Sequence, residues 1–377
     1  MSSGNIRPEY KTDIMQTRIP CALFRGGTSK GAYFMASDLP ANEAMREKIL
    51  LAVMGSPDRR QIDGIGGAHP LTSKVAIIKP SEREGVDVDY LFVQVFVDQA
   101  RTSTKQNCGN ILAGVGPFAI EKGLVKGEEG ETTVTVYMEN TDSIARERIQ
   151  TPGGRVNYEG NAAIDGVPGT HAPIMIEFLD VAGSSCGALF PTGNVADEIN
   201  GVQASLVDNG MPVAVMDAAS FGLSGHESIE ELEADQELKD KVEAIRLKAG
   251  HMMNLGDIAD KTVPKMFLVS KSDKDCMINT RSFIPHRVHD SIGVFAAVSV
   301  ATAAATQGTP AYPLAAIPKG NPKLCHLEHP TGRFTVEVDV DESGTQVKFR
   351  SASVLRTARF LFDGEVLIPA SVWDGRL

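Results

Sequence analysis

Two reactive side chains stand apart in this sequence, a lysine at the mouth of one apolar run and a cysteine at the head of another. Lys74 ends the glycine-rich stretch Asp63-Gly64-Ile65-Gly66-Gly67-Ala68-His69-Pro70-Leu71-Thr72-Ser73 and opens Val75-Ala76-Ile77-Ile78. An amine desolvated in such a place favours its neutral form and becomes a usable base. A lysine that merely snorkels at a strand end fits the same pattern. Cys108, within Asn107-Cys108-Gly109-Asn110, precedes the apolar run 111–120. A thiol at a helix N-terminus feels the positive end of the macrodipole, which favours proton exchange, and its small neighbours leave room for a substrate. An inert cysteine packed as a small hydrophobe is the competing reading. Covalent protease chemistry is less attractive, because the local papain and caspase signatures are missing.

Groups suited to an anion accompany these two. Arg25-Gly26-Gly27-Thr28-Ser29-Lys30-Gly31 follows a short apolar strand, 19–24. It is not a Walker loop, since Lys30 is followed by glycine, but exposed backbone N–H groups beside hydroxyls and cations suit a carboxylate. A glycine turn with solvated charges is the plain alternative. The stretch 63–74 precedes a strand instead of joining a strand to a helix, so it does not read as a dinucleotide fingerprint. Thr280-Arg281-Ser282-Phe283-Ile284-Pro285-His286-Arg287 brings two arginines toward Ser291 and a second apolar helix, the pairing of guanidinium and helix N-terminus that binds anions. Surface arginines paired with carboxylates would look the same. The histidine pairs 286/289 and 326/329 lack a third ligand, and no metal site is expected.

Period-2 alternation predicts strands over 86–97, 132–138 and 334–340, the last followed by the turn 341–344 and a strand over 345–350. Helical patterns are of two kinds. Ser228-Ile229-Glu230-Glu231 is a capping box, followed by Leu232, Leu238, Val242 and Ile245 among charges, with Gly250 placed as a stop. The runs 111–120 and 292–306 are apolar on every face, so each must be enclosed, and each is too short to cross a bilayer. Strands wrapped around a central helix, once in each half, would satisfy both. Ser73-Lys74-Val75-Ala76-Ile77-Ile78 resembles Pro264-Lys265-Met266-Phe267-Leu268-Val269, and both lie upstream of an all-apolar helix. A degenerate internal duplication follows, with the cleft between the halves as the expected ligand site.

The chain has 377 residues, ample for two domains, and 37 basic against 48 acidic side chains give a net charge of −11. That balance argues against general attraction to nucleic acid or anionic lipid, so an anionic ligand must meet a local basic pocket. No apolar run is long enough to span a membrane. Five cysteines without C-x-x-C spacing indicate neither a disulfide framework nor structural zinc, and fit a reducing cytoplasm. The expected organisation is a flexible leader over 1–15, one domain over 16–185 and another over 186–377, with the last strand or helix free to pack back on the first domain. A homodimer is compatible with this sequence.

The motifs at 25–31, 55–78, 106–125 and 191–194 resemble the PrpF family of methylaconitate isomerases, and the likeness extends over about residues 16–365. It implies an α+β fold like that of diaminopimelate epimerase: two pseudo-symmetric domains, each of antiparallel strands around a central buried helix. Within the family, DNGMPV at 208–213, TVPKM at 262–266 and TRSFIPHR at 280–287 are most similar to the 4-oxalomesaconate tautomerases and isomerases of gallate and protocatechuate cleavage. The resemblance implies that Lys74 removes a proton from carbon and Cys108 assists its return, with no cofactor. Substrate contacts are expected from Arg25, Thr28, Ser29, Ser73, Asn107, Gly109 and Asn110, and from Lys265, Arg281 and Ser291. Diaminopimelate epimerases place a cysteine ahead of each central helix. Here the second such region reads His289-Asp290-Ser291-Ile292-Gly293, which removes a symmetric two-thiol mechanism and suits a proton shift in an allylic acid. The expected substrate is a small unsaturated polycarboxylate, 4-oxalomesaconate foremost, with 2-methylaconitate, 3-methylitaconate and aconitate as alternatives. An amino-acid epimerase or a non-enzymatic carboxylate binder is the outsider.

Overall fold

The computed structural model describes residues 15–179, 181–284, 287–341 and 348–376. All but the last residue of the expected leader, His286, the turn residues 342–344 and the first residues of the strand expected over 345–350 lie outside the described residues. Packing separates the chain into two compact units. One comprises the described residues up to 126 with 136–142 and 358–377; the other comprises 127–135 and 143–357. The division does not fall at 185, because strand pairing carries 143–178 into the second unit.

In the first unit, β1 (Gln16–Gly26) and β2 (Ser29–Met35) form an antiparallel hairpin, and α1 (Glu43–Met54) leads to β3 (Lys74–Pro80), which runs parallel to β2. β4 (Val88–Val95) returns antiparallel to β3, and the two-residue β5 (Thr102–Ser103) pairs with its end. Next come α2 (Gly109–Leu112) and α3 (Val115–Glu121), and then the end of β6 (Gly130–Met138), parallel to β4.

The second unit repeats this order. β7 (Ser143–Thr151) and β8 (Ile174–Phe178) pair antiparallel, and the short β9 (Asp197–Ile199) precedes the hairpin of β10 (Val202–Asp208) and β11 (Pro212–Asp217). Helices α4 (Ile229–Ala234) and α5 (Gln236–Met252) lead to β12 (Lys265–Ser270), parallel to β11. β13 (Ile278–Phe283) returns antiparallel, and the two-residue β14 (Val288–His289) pairs with its end. After α6 (Val294–Ala305), β15 (Lys323–His329) is parallel to β13, followed by β16 (Gly332–Asp341) and β17 (Lys348–Arg356). β18 (Ala358–Pro369) belongs to the first unit, where it pairs antiparallel with β1. Each unit thus has a hairpin, a helical crossover to a parallel strand opened by a lysine, an antiparallel return with a two-residue partner, a buried helical segment, and a second parallel strand.

Three helical expectations change. The run 111–120 is not one helix but α2 and α3 joined through Ala113 and Gly114. Pro117 has no N–H to give the Ala113 carbonyl, and its ring would collide with that carbonyl in a continuous helix. The segment is enclosed as expected, with Ile111 to Ala119 buried. The capping box at Ser228 is present, but the helix it starts ends at Ala234, and Asp235 caps α5 anew by accepting the Leu238 N–H. Gly250 lies inside α5. It is a packing residue, since a Cβ there would stand 2.3 Å from Ile258 Cδ1. α6 is a single helix, buried from Ala296 to Ala305 and packed against β10, β11, β15, β16 and β17.

Arg246 of α5 is fully buried. Its guanidinium pairs with both Glu243 oxygens at 2.6 and 2.7 Å and donates to the carbonyls of Ile258, Lys261 and Val263 at 3.0–3.2 Å. It fastens the loop that ends at Lys265. Arg246→Met is expected to remove about 3 kcal/mol of stability, the scale of a broken buried ion pair. Urea denaturation checks this, and a loss under about 1 kcal/mol would show that the loop holds itself.

Candidate active site

Lys74 and Cys108, 34 residues apart in sequence, meet inside the first unit: Lys74 Nζ donates to Cys108 Sγ at 3.2 Å. Both are buried, at 8% and 9% exposure. Lys74 Nζ also lies 5.5 Å from the centroid of the Phe92 ring. Lys74 is the first residue of β3, paired with Gly31 on one side and Gln94 on the other. A Cβ at Gly31 would stand 2.6 Å from the Lys74 carbonyl oxygen, so only glycine lets β2 lie this close to the lysine.

Cys108 is the N-cap of α2, and Asn107 Oδ1 accepts its N–H at 2.7 Å. Four helical residues supply little macrodipole, so the polar partner at Sγ is the lysine more than the helix. The hydroxyl of Tyr33 on β2 donates to the Ile111 carbonyl, and the Tyr33 ring packs on Phe24 and Phe118 at centroid distances of 4.9 and 5.9 Å. The other four cysteines are buried. Burial pushes the thiols of Cys21, Cys186 and Cys325 up to about 12, with Asp208 adding to the effect at Cys186, and burial also raises Cys276. At neutral pH these four stay protonated and inert.

The glycine turn between β1 and β2 lies directly on the start of α2. Gly27, at φ 50°, would place a Cβ 2.1 Å from Asn110 Oδ1, and one at Gly26 would meet the Asn110 carbonyl oxygen at 2.3 Å. Asn110 Nδ2 donates to Thr28 Oγ1 at 3.0 Å, bringing together Thr28, Asn110, Gly109 and Cys108. Ser29 is 1% exposed, and its hydroxyl has no hydrogen-bond partner among the described residues. Arg25 braces the turn through Nη1 to the Gly27 carbonyl at 3.0 Å; burial first, and then Arg359, lower its pKa. Ser73, expected to touch substrate, is fully buried, with its hydroxyl turned to Gln61 Oε1 at 2.7 Å and the His69 carbonyl at 2.9 Å. Its place is inside the loop.

In the second unit the expected residues are separately placed. Lys265 opens β12 opposite Val213 as Lys74 opens β3, and burial lowers its pKa. Arg281 lies within β13 and donates to the Glu227 carbonyl at 2.8 Å, to Asn279 Oδ1 at 2.8 Å and to the Thr280 carbonyl at 3.0 Å. These bonds tie it to β13 itself and to Glu227, the residue before the α4 cap Ser228, and not to the start of α6. The α6 cap is Gly293, so the position corresponding to Cys108 is a glycine, two residues beyond Ser291. Ser291 receives a bond from neither Lys265 nor Arg281; its N–H donates to His289 Nδ1 at 2.9 Å and its Oγ lies 3.5 Å from His329 Nε2. His329, whose pKa burial lowers, figures in the sequence only as half of the pair 326/329, set aside for want of a third metal ligand. No group of three or more His, Cys, Asp or Glu side chains that could hold a metal occurs among the described residues. None of their helices is long and apolar enough to cross a membrane.

A family model described as PrpF protein matches residues 16–369. The chain is 58% identical over 349 residues to the (4E)-oxalomesaconate Delta-isomerase of Novosphingobium sp. (strain KA1), covering 93% of this chain and 97% of that protein. It is 55% identical over 360 residues to the 4-oxalomesaconate tautomerase of Pseudomonas putida, covering 96% and 99%. Among solved structures, methylitaconate-delta-isomerase matches with a TM-score of 0.88 at 33% identity, over 95% of this chain and 97% of that one.

The contact between amine and sulfur has a consequence that needs no substrate. At pH 7, iodoacetamide is expected to label Cys108 before the other four cysteines, and Lys74→Met to slow that labelling by roughly tenfold, because the amine that hydrogen-bonds the sulfur and can take up its proton is gone. Mass mapping of alkylated peptides over time is the measurement.

Proposed function

We propose that this chain, which belongs to the PrpF family, uses Lys74 and Cys108 to move a proton between carbons of 4-oxalomesaconate. The protein is an isomerase. The substrate reading is supported by the named activities of two relatives above 50% identity, whereas a solved structure at 33% identity is named for methylitaconate. These substrates share an allylic acid, in which a proton on carbon is acidified by an adjoining unsaturated carbonyl or carboxylate.

The observation that carries the mechanism is the 3.2 Å contact between Lys74 Nζ and Cys108 Sγ. The neutral amine takes the proton from carbon, and the C–H electron pair spreads into a dienolate. The Cys108 thiol then gives its proton to the remote carbon, or to the oxygen if the product is the enol, and becomes a thiolate. Lys74, now an ammonium, returns the first proton to that sulfur, and both groups regain their starting states. Protons and electrons balance without a redox carrier. Thr28, Ser29 and Asn110 supply donors for the carboxylates, and the hydroxyl of Ser29 gains in the complex the partner it lacks in the protein.

Proton NMR of the purified protein with 4-oxalomesaconate in D₂O tests both roles. Lys74→Met is expected to lower turnover by at least about 100-fold and to abolish deuterium wash-in at the abstracted carbon. Cys108→Ala should keep wash-in at that carbon while product formation falls. Activity of the lysine variant within tenfold of the parent would defeat the assignment.

A further inference from the structure

Among the polar side chains that the proton transfer does not use, Gln61 has the most unusual setting. It is 1% exposed and lies at φ 47°, a left-handed conformation that costs a non-glycine residue on the order of 1 kcal/mol and persists only where surrounding bonds over-determine it. Those bonds are present. Its Oε1 accepts the Ala68 N–H at 2.8 Å, which fixes which end of the amide is oxygen, because a backbone N–H can only donate. The same oxygen accepts the Ser73 hydroxyl at 2.7 Å, and Nε2 donates to Ser56 Oγ at 3.1 Å. Gly66 closes over the amide, where a Cβ would stand 2.2 Å from Oε1.

One buried amide therefore ties both ends of the loop between α1 and β3 to Ser73, the residue before Lys74. The Ser73 carbonyl is held independently, accepting from Gln94 Nε2 and from the Val95 N–H, both at 3.1 Å. With its hydroxyl and carbonyl both fixed, Ser73 leaves the Lys74 backbone little freedom, and Nζ returns to the same place beside Cys108 Sγ.

We propose that Gln61 is a positioning residue for Lys74, acting through Ser73. The inference rests on the reading of Lys74 as the base. Gln61→Met keeps the side-chain length and removes every amide bond; it is expected to lower kcat by about 10- to 100-fold, with KM changed less than about twofold, because a misplaced base weakens the transition state more than substrate binding. Gln61→Glu retains the acceptor for Ala68 and Ser73, and should restore kcat to within about fivefold of the parent. Ser73→Ala cuts the link at its other end and stands in if Gln61→Met does not fold. It should show the same loss in kcat, while the thermal midpoint certifies a folded protein. A purely structural role would lower the midpoint and leave kcat per folded molecule at the parental value, which overturns the inference. A rise in KM alone for Ser73→Ala also overturns it and returns Ser73 to substrate contact. If Lys74→Met is inactive while Gln61→Met and Ser73→Ala keep full kcat, positioning alone fails; if Lys74→Met stays active, the base reading itself has failed.

Discussion

A lysine amine buried against a sulfur is the constraint from which the organisation of the first unit follows. An amine removed from water needs partners, and the described contacts of Lys74 Nζ are the sulfur of Cys108 and the face of Phe92. Keeping the pair at 3.2 Å requires the mouth of β3 and the start of α2 to sit side by side, and glycines make that approach feasible from both directions. Gly31 lets β2 lie on the Lys74 backbone, and Gly26 and Gly27 let the hairpin turn lie on Asn110. Tyr33 then reaches from β2 to the Ile111 carbonyl and fixes the helical segment in height. The break at Ala113 and Gly114, ahead of Pro117, belongs to the same design, because the two short helices need only enclose an apolar core and present one residue, Cys108, at their head.

The second unit has the same order of strands with different chemistry. Its hairpin turn lies on α6 as the first lies on α2, with Gly210 at φ 87° and a Cβ there only 2.6 Å from the Phe295 ring. Its parallel strand also begins with a lysine. Where the first unit has a thiol at the cap, however, the second has Gly293, with His289, Ser291 and His329 grouped nearby. A repeat that keeps backbone geometry while exchanging the acid–base groups is compatible with a proton shift in one direction along a substrate, where one base and one thiol suffice. It lacks the matched thiols of a stereochemical inversion.

Charge economy is equally local. A protein of net charge −11 cannot rely on its overall field to draw in the polycarboxylate proposed above. The two arginines that the sequence offers for the task both use part of their guanidinium on backbone carbonyls, Arg25 on Gly27 and Arg281 on Glu227 and Thr280. On the proposed reading, hydroxyls, amides and turn N–H groups carry more of the recognition than a count of cations suggests.

What the sequence determined by itself was the content of the fold and the candidate pair that the structure brings into contact. Alternating polarity marked β4, β6 and β16, the all-apolar runs marked the enclosed helical segments, and a lysine ahead of an apolar strand together with a cysteine ahead of an apolar helix marked Lys74 and Cys108. These signals are local, since periodicity and the charge of a side chain at the end of an apolar run can be read without knowing any neighbour. Ser73, Arg25 and Arg281, expected at substrate, were given partners within the fold that no spacing forecast, and Gln61 had no pattern to announce it. The destination of a long polar side chain depends on which distant carbonyl or amide is brought within about 3 Å of it. That distance is set by the close approach of strands and turns, so only the tertiary structure decided which of the polar groups bind the protein to itself and which remain for chemistry.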